Sequence, residues 1–86
     1  MNIRFHKQFT TELTKRSKKE QELVKDRLKL FLLDPFHPRL RNHPLKGRYL
    51  SYRSIDIRPD LRAVYKEVDS DEIIFITLGN HGTLYR

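Results

Sequence analysis

The sequence predicts an α+β fold, in which a helical hairpin packs on a mainly antiparallel, twisted sheet in the order β-α-α-β-β-β. Two observations carry this prediction. In the first half of the chain, apolar residues recur at the spacing of amphipathic helices. From residue 48 onward, aromatic and β-branched residues dominate in short runs separated by turn signals, which is typical of strands. At 86 residues, the chain is expected to form one domain over residues 1–86.

The first elements are a strand and a helix. Residues 2–5 alternate polar and apolar side chains, as a short strand does. Residues 7–16 place Phe9 and Leu13 four positions apart, on one face of a predicted helix. This helix and the one that follows are expected to form an antiparallel hairpin.

The second helix has signals at both ends. Ser17 and Glu20 match a capping box, in which the serine hydroxyl accepts from the N–H three residues on and the glutamate reaches back to the serine N–H. The helix is therefore expected to begin at Lys18. Asp34-Pro35 ends it, because the residue before a proline is pushed out of the helical region.

The second half predicts a loop and then three strands. Residues 34–47 hold prolines and a glycine, which favour an irregular loop. Turn signals at Pro59-Asp60 and Asp69-Ser-Asp71 separate the strands. The last strand contains the run Ile73-Ile-Phe-Ile76, apolar on both sides, so it is expected to be central in the sheet. The predicted strands span residues 49–58, 62–68 and 72–78.

Side-chain alternation along the first of these strands predicts which residues share a face. Ile55 and Ile57 are expected to face the helices, with Arg53 on the same side near the edge of the core. Asp56 and Arg58 are expected on the other, open face, together with Leu50, Tyr52 and Ser54.

The net charge of +7 is concentrated in the first half of the chain. Residues 1–48 carry thirteen Lys/Arg and five Asp/Glu (+8), whereas residues 49–86 carry five and six (−1). Clustered cations favour a polyanion partner. A solvated helix surface explains the cations of residues 15–29 equally well, and an acidic protein partner would also satisfy the charge. The acid-free loop of residues 37–48 favours the polyanion more strongly, with Arg39, Arg41, Lys46 and Arg48.

Composition also bounds the class of protein. The absence of cysteine excludes disulfides and thiolate metal sites and fits a reducing cytosol. The apolar run of residues 30–33 is far shorter than the roughly 20 residues that a membrane span needs. No apolar stretch at the N-terminus resembles a signal peptide. A soluble cytoplasmic protein is expected, without a membrane, metal or cofactor.

Several side chains suit RNA cleavage without a metal. A base must take the proton of the 2′-hydroxyl, an acid must protonate the leaving 5′-oxygen, and cations must stabilise the charge that develops on phosphorus. Histidine suits proton transfer because its pKa lies near neutrality. The candidates for proton transfer are His43, Asp60 and His81, and the candidate cations are Lys46, Arg48 and Arg53.

The spacing of short motifs over the second half resembles the YafQ branch of the RelE/ParE toxin superfamily. The motifs are His43-Pro-Leu-Lys-Gly47, Tyr52-Arg53, Pro59-Asp60, Tyr65-Lys66 and Gly79-Asn-His81-Gly-Thr-Leu-Tyr85. The resemblance implies a compact RelE-like fold and a ribosome-dependent mRNA endonuclease that cuts in the 30S A site. It also implies a cognate antitoxin that silences the toxin.

The resemblance assigns roles to matching residues. It marks His43, Asp60 and His81 as catalytic, and Tyr85 as an aromatic that contacts the substrate. Three positions depart from the family pattern, because Asp56 replaces a histidine, Thr77 an arginine and Leu61 an aromatic residue. Cations that can compensate, and so join Lys46 and Arg48 in binding phosphate, are Arg53, Arg58 and Arg62.

Each site residue also has a structural explanation. His43 can be an ordinary surface histidine, His81 a turn residue and Asp60 a turn former. Arg53 can form an ion pair under the sheet, and Tyr85 can pack on the core edge. Two other functional classes stay open: a ParE-like toxin that acts by binding, for example on gyrase, and a nucleic-acid-binding module of unrelated fold.

Overall fold

The computed structural model describes residues 1–84, with the side chains of His81 and Thr83 outside the description. Two helices cover one face of a mixed sheet, and a third, short helix follows the last strand. The elements are β1 (Asn2–Phe5), α1 (Lys7–Thr14), α2 (Lys18–Leu33), β2 (His43–Pro44), β3 (Tyr52–Arg58), β4 (Leu61–Asp69), β5 (Glu72–Gly79) and α3 (His81–Leu84). Short 3-10 turns span Pro38–Leu40 and Gly47–Tyr49.

Within residues 1–84, five strands form one sheet in the order β1-β5-β4-β3-β2. The β1–β5 pair is parallel, and the other neighbours are antiparallel. The predicted fold class is thereby confirmed. The last strand lies inside the sheet, between β1 and β4, but the middle strand is β4 rather than the predicted β5. No helix of the described residues is both long and apolar enough to cross a membrane.

The ends of α2 follow the capping chemistry expected from the sequence. The Ser17 hydroxyl accepts from the Glu20 N–H at 3.1 Å, so half of the capping box is present. The Glu20 carboxylate turns to the Arg58 guanidinium, 3.4 Å away. The helix ends at Leu33, immediately before Asp34, whose backbone is extended. The first helix ends two residues earlier than predicted, at Thr14.

The main core lies between the helices and the sheet. Phe75 is at its centre, with its ring centroid 5.6 Å from that of Phe9 on α1 and 5.5 Å from that of Phe31 on α2. Such aromatic contacts add to the burial of apolar surface. Ile55 and Ile57 belong to this core, which confirms that they face the helices.

The segment between α2 and β3 is more ordered than the predicted loop. Leu40 is fully buried in the main core and anchors the first 3-10 turn. The N–H of Leu45 donates to the Tyr52 carbonyl at 2.9 Å and closes the hairpin between β2 and β3. The strand predicted over residues 49–58 begins later, at Tyr52. Ser51 has a positive φ of 78°, which is not an extended conformation.

The face of the sheet opposite the main core, here called the site face, is not open as predicted. Leu45, Val64 and Leu84 form a second small cluster there, with Tyr49 and Tyr52 packed against it. The 43–52 hairpin and α3 supply its cover. The prediction was wrong because strand alternation identifies a face, whereas the segments that cover that face come from distant parts of the chain.

A bulge also changes the predicted position of Arg58. The register shifts after Asp56, so that Ile57 and Arg58 together oppose Leu61 on β4. An extra residue reverses the alternation. Arg58 therefore reaches Glu20 of α2 on the helical side, and the prediction that it shares a face with Asp56 was wrong.

Candidate functional site

His43 lies on the short edge strand β2 and has a fixed ring orientation. Its Nδ1 is 2.7 Å from the Arg41 carbonyl oxygen. A carbonyl can only accept, so Nδ1 carries the proton and donates it. In the neutral ring, Nε2 then keeps a free lone pair for proton transfer. The Arg41 backbone is left-handed, with φ 49° and ψ 46°, and its carbonyl oxygen lies within hydrogen-bonding distance of the ring.

Strand register places His43 beside other polar side chains. His43 pairs with Ser54, Ser54 with Val64, and Val64 with Thr77, so these residues lie side by side across the sheet. Residues paired across antiparallel strands present their side chains on the same face. Ser54 is fully buried, and its hydroxyl finds no hydrogen-bond partner within residues 1–84.

A second polar pair lies on the site face, two residues further along β3. Asp56 pairs with Arg62, and Arg62 with Gly79. The Asp56 carboxylate is 3.4 Å from Arg62 Nε, and the two side chains are only 10% and 23% exposed. At that length the contact is an ion pair without hydrogen-bond geometry, because Asp56 Oδ1 has no hydrogen bond to a described residue.

His81 follows this pair along the chain. It begins α3, two residues after Gly79, so its backbone lies at the end of the sheet where Asp56 and Arg62 pair. Its side chain and Tyr85 lie outside the described part of the chain. Their predicted roles remain predictions.

Asp60 lies in the exposed turn between β3 and β4. Its carboxylate accepts from Arg58 Nε at 2.8 Å. This hydrogen bond is the main cause that lowers the pKa of Asp60, and the charge of Arg58 adds to it. Residue 54, which pairs with His43, lies four positions before Arg58 along β3, or about 13 Å. The predicted catalytic Asp60 is thus hydrogen-bonded to Arg58. Along β3, His43 lies nearer to Asp56 than to Asp60.

Three of the predicted phosphate ligands, Lys46, Arg48 and Arg53, divide into two groups. Lys46 and Arg48 are exposed, and neither forms an ion pair within the described chain. Arg53 has a different setting: its Nε donates to Asn42 Oδ1 at 2.7 Å, and its guanidinium lies 5.3 Å from the centroid of the Phe36 ring. Arg53 is therefore occupied by contacts within the fold, whereas the two loop cations are available to a ligand.

Sequence reasoning gave no role to three polar residues that the structure places at or beside the site. Alternation along β3 already indicated that Ser54 lies on this face, but not that it is buried. Asn42 carried no sequence signal, because its partners are distant in the chain. Thr77 is 3% exposed, and its hydroxyl accepts from Gln8 Nε2 of α1 at 3.2 Å.

The side chains that the structure describes do not assemble a recognisable metal site. Among the described residues, no group of three or more His, Asp or Glu side chains is placed to hold a metal ion. The site instead combines a histidine whose ring is held by a hydrogen bond, a shielded ion pair and two exposed cations, which suits acid–base chemistry on an anionic substrate.

A helical hairpin on a five-stranded mixed sheet within residues 1–84, with this polar edge, defines a RelE-like toxin fold. The family model described as "Bacterial toxin of type II toxin-antitoxin system, YafQ" matches residues 1–86. The chain therefore belongs to the YafQ family of bacterial toxins of type II toxin–antitoxin systems. Among curated proteins, none matches this chain.

Solved structures share the fold over nearly the whole chain. The crystal structure of YafQ from E. coli strain BL21(DE3) has a TM-score of 0.83 at 21% identity, covering 99% of this chain and 98% of that one. YafQ in the E. coli DinJ–YafQ toxin–antitoxin complex has a TM-score of 0.75 at 23% identity, covering 99% and 97%. A metal-bound toxin from Helicobacter pylori has a TM-score of 0.73 at 27% identity, covering 99% of both chains.

Proposed function

We propose that this toxin is a ribosome-dependent endoribonuclease that cleaves mRNA in the 30S A site in the cytoplasm. One observation carries the proposal. The His43 ring is held through Nδ1 on the Arg41 carbonyl, which leaves Nε2 available beside an exposed basic loop. Family membership supports the same conclusion.

The reaction is an internal transfer at phosphorus. A base takes the proton of the 2′-hydroxyl, the 2′-oxygen attacks phosphorus, and the bond from phosphorus to the 5′-oxygen breaks. An acid protonates that oxygen, which leaves a 2′,3′-cyclic phosphate and a 5′-hydroxyl. His43 and His81 share the two proton transfers with Asp60. Hydrogen bonding to Arg58 keeps Asp60 ionised, so this carboxylate acts as an acceptor.

Cations of the loop hold the phosphates. Lys46 and Arg48 are exposed on the loop that follows His43. Arg62 lies on the site face but pairs with the Asp56 carboxylate, so it is engaged within the fold. Tyr85 stacks on a base of the substrate. Arg58 and Arg53, predicted for the same role, are engaged by carboxylates and by Asn42, respectively.

A cognate antitoxin is the proposed protein partner. E. coli YafQ forms a toxin–antitoxin complex with DinJ. The charge of +8 on residues 1–48 favours an acidic segment in such a partner. Opposite charges would speed the encounter and fix its orientation.

Translating ribosomes provide the test. The purified protein is added to a ribosome-bound mRNA, and the 5′ ends of the fragments are mapped. Cleavage within the A-site codon is expected, and His43→Gln and His81→Ala are each expected to reduce its rate by about 10²-fold or more. His6→Asn is the matched control, because this histidine only caps α1, where asparagine caps as well. Intact mRNA with the wild type, or full activity in His43→Gln, would contradict the proposal.

The second candidate is a ParE-like toxin that acts by binding without cleavage. Two observations favour it. Asp56, where the resemblance expects a histidine, forms an ion pair with Arg62. Thr77, where the resemblance expects an arginine, accepts a hydrogen bond from Gln8. DNA gyrase is assayed with the protein present. Inhibited supercoiling together with intact mRNA supports this candidate and excludes the nuclease.

A further inference from the structure

Asn42, the residue before His43, is held at almost every hydrogen-bonding position that it has. Its Nδ2 donates to the Pro35 carbonyl at 2.9 Å and to the Tyr65 hydroxyl at 2.8 Å. Its Oδ1 accepts from Arg53 Nε at 2.7 Å. An asparagine side chain has two donors and one acceptor oxygen, so each of its polar atoms is satisfied.

These contacts lie on the opposite side of the sheet from the site. Tyr65 belongs to the main core under the helices and pairs with Arg53 across β3 and β4. His43 pairs with Ser54 on the site face. Successive residues of an extended chain point to opposite faces, so a fixed Asn42 side chain holds the backbone from which the His43 ring projects.

Arg53 contributes two contacts to this arrangement, a hydrogen bond to Asn42 and a cation–π contact with Phe36. Its guanidinium lies over the Phe36 ring, 5.3 Å from the centroid, while Nε binds Asn42. The contacts join β3 to the loop at Pro35 and Phe36, which lead into the segment that bears His43. Arginine is suited to stacking and directed hydrogen bonding at once, which lysine is not.

We propose that Asn42, Arg53 and the Tyr65 hydroxyl form a positioning hub that holds the His43 ring on the Arg41 carbonyl. Arg53 is then a positioning residue rather than a phosphate ligand. The hub fixes the Nδ1–H tautomer of His43 and so keeps Nε2 available. The catalytic consequence rests on the proposed function, whereas the tautomer does not.

The tautomer of His43 is measured by the ring 15N chemical shifts of the full chain at a pH where the ring is neutral. The wild type is expected to show Nδ1–H. Arg53→Gln and Asn42→Ala are expected to shift the population towards Nε2–H. Tyr65→Phe keeps the aromatic ring and removes one hydrogen bond, so it gives a smaller shift in the same direction even if the other variants fold poorly.

RNA binding separates positioning from phosphate contact. The probe is a 2′-O-methyl oligoribonucleotide, which lacks the attacking hydroxyl. Arg48→Gln removes the same charge from the exposed loop and is the matched control. It is expected to reduce the salt dependence of binding by about 0.7 in the log–log slope, the contribution of one phosphate contact to single-stranded RNA. Arg53→Gln is expected to leave that slope unchanged.

Cleavage kinetics give the third readout. Arg53→Gln is expected to lower kcat by about tenfold or more with little change in KM, because small displacements of a catalytic group are costly. Unchanged His43 shifts in the variants, or a salt slope for Arg53→Gln that falls as it does for Arg48→Gln, would overturn the hub. If the wild type cleaves no mRNA, the proposed function fails while the 15N shifts still decide the hub.

Discussion

The two faces of the sheet bury side chains of different chemistry. The helical face carries an aromatic core in which Phe9, Phe31 and Phe75 are almost fully buried. The site face carries a cluster of three apolar residues beside buried Ser54 and Asp56. Apolar burial stabilises a fold, whereas buried polar groups are costly unless they are paired. The comparison teaches that apolar burial is concentrated on one face, whereas the other face carries the polar candidate site.

The largest expected effect lies in the aromatic core. Phe75→Ala is expected to reduce the free energy of unfolding by about 3–5 kcal/mol, because it removes a ring packed between both helices and leaves a cavity. Urea denaturation measures the change. If Phe75→Ala lost less free energy of unfolding than a substitution on the site face, the conclusion that the helical face contributes more stability would be contradicted.

The ion pair of the site face is expected to have the next largest effect. Asp56→Ala removes the carboxylate that faces the shielded Arg62 guanidinium, and should cost about 3 kcal/mol, the low end for breaking a buried pair. The double variant Asp56→Leu/Arg62→Met is expected to regain most of that loss. Asp60→Ala is the control, because the Asp60 carboxylate is 71% exposed and its removal should leave the denaturation midpoint nearly unchanged. Equal losses for Asp56→Ala and Asp60→Ala would show that shielding is unimportant here.

The apolar cluster of the site face is expected to contribute less than the aromatic core. Leu45→Ala should reduce the free energy of unfolding by about 2 kcal/mol, because Leu45 packs on Val64 and Leu84 near the surface. The measurement is again urea denaturation, with the exposed Leu50→Ala as control. A loss as large as that of Phe75→Ala would make the two faces equal.

The smallest effect concerns the Tyr65 hydroxyl and depends on pH. Burial raises the pKa of Tyr65 above its ordinary value of 10.0, while the Asn42 hydrogen bond opposes the shift. A raised pKa favours the neutral phenol in the folded state, so this contribution is complete below pH 10 and is lost as pH rises through the folded-state value. Tyr65→Phe should cost about 1 kcal/mol at pH 7 for the lost hydrogen bond. Above pH 10 its stability should fall less steeply than that of the wild type, and parallel curves would contradict the assignment.

Local signals allowed much of the fold to be predicted. The Ser17 cap and the Asp34-Pro35 stop placed both ends of α2, since these signals act through neighbouring backbone groups. Alternation along β3 placed Ile55 and Ile57 correctly. It failed at Arg58, because the bulge depends on the pairing of β3 with β4.

The candidate site was less accessible to prediction. Motif spacing indicated His43 and the loop cations, but it gave no sign that Asn42 would be bound by three distant partners. It also gave no sign that Arg53, predicted to bind phosphate, contacts Asn42 and the Phe36 ring, because a cation with internal contacts and a free cation look the same in a sequence.

The sequence alone was enough to predict the element types, the ends of α2, the basic first half and the membership of the toxin superfamily, because each depends on neighbouring residues or on short spaced motifs. The folded structure was needed to show that the site face is covered, that Asp56 pairs with Arg62, and that Arg53 donates to Asn42 beside His43. These contacts join residues far apart in the chain, and their geometry exists only once the sheet has formed.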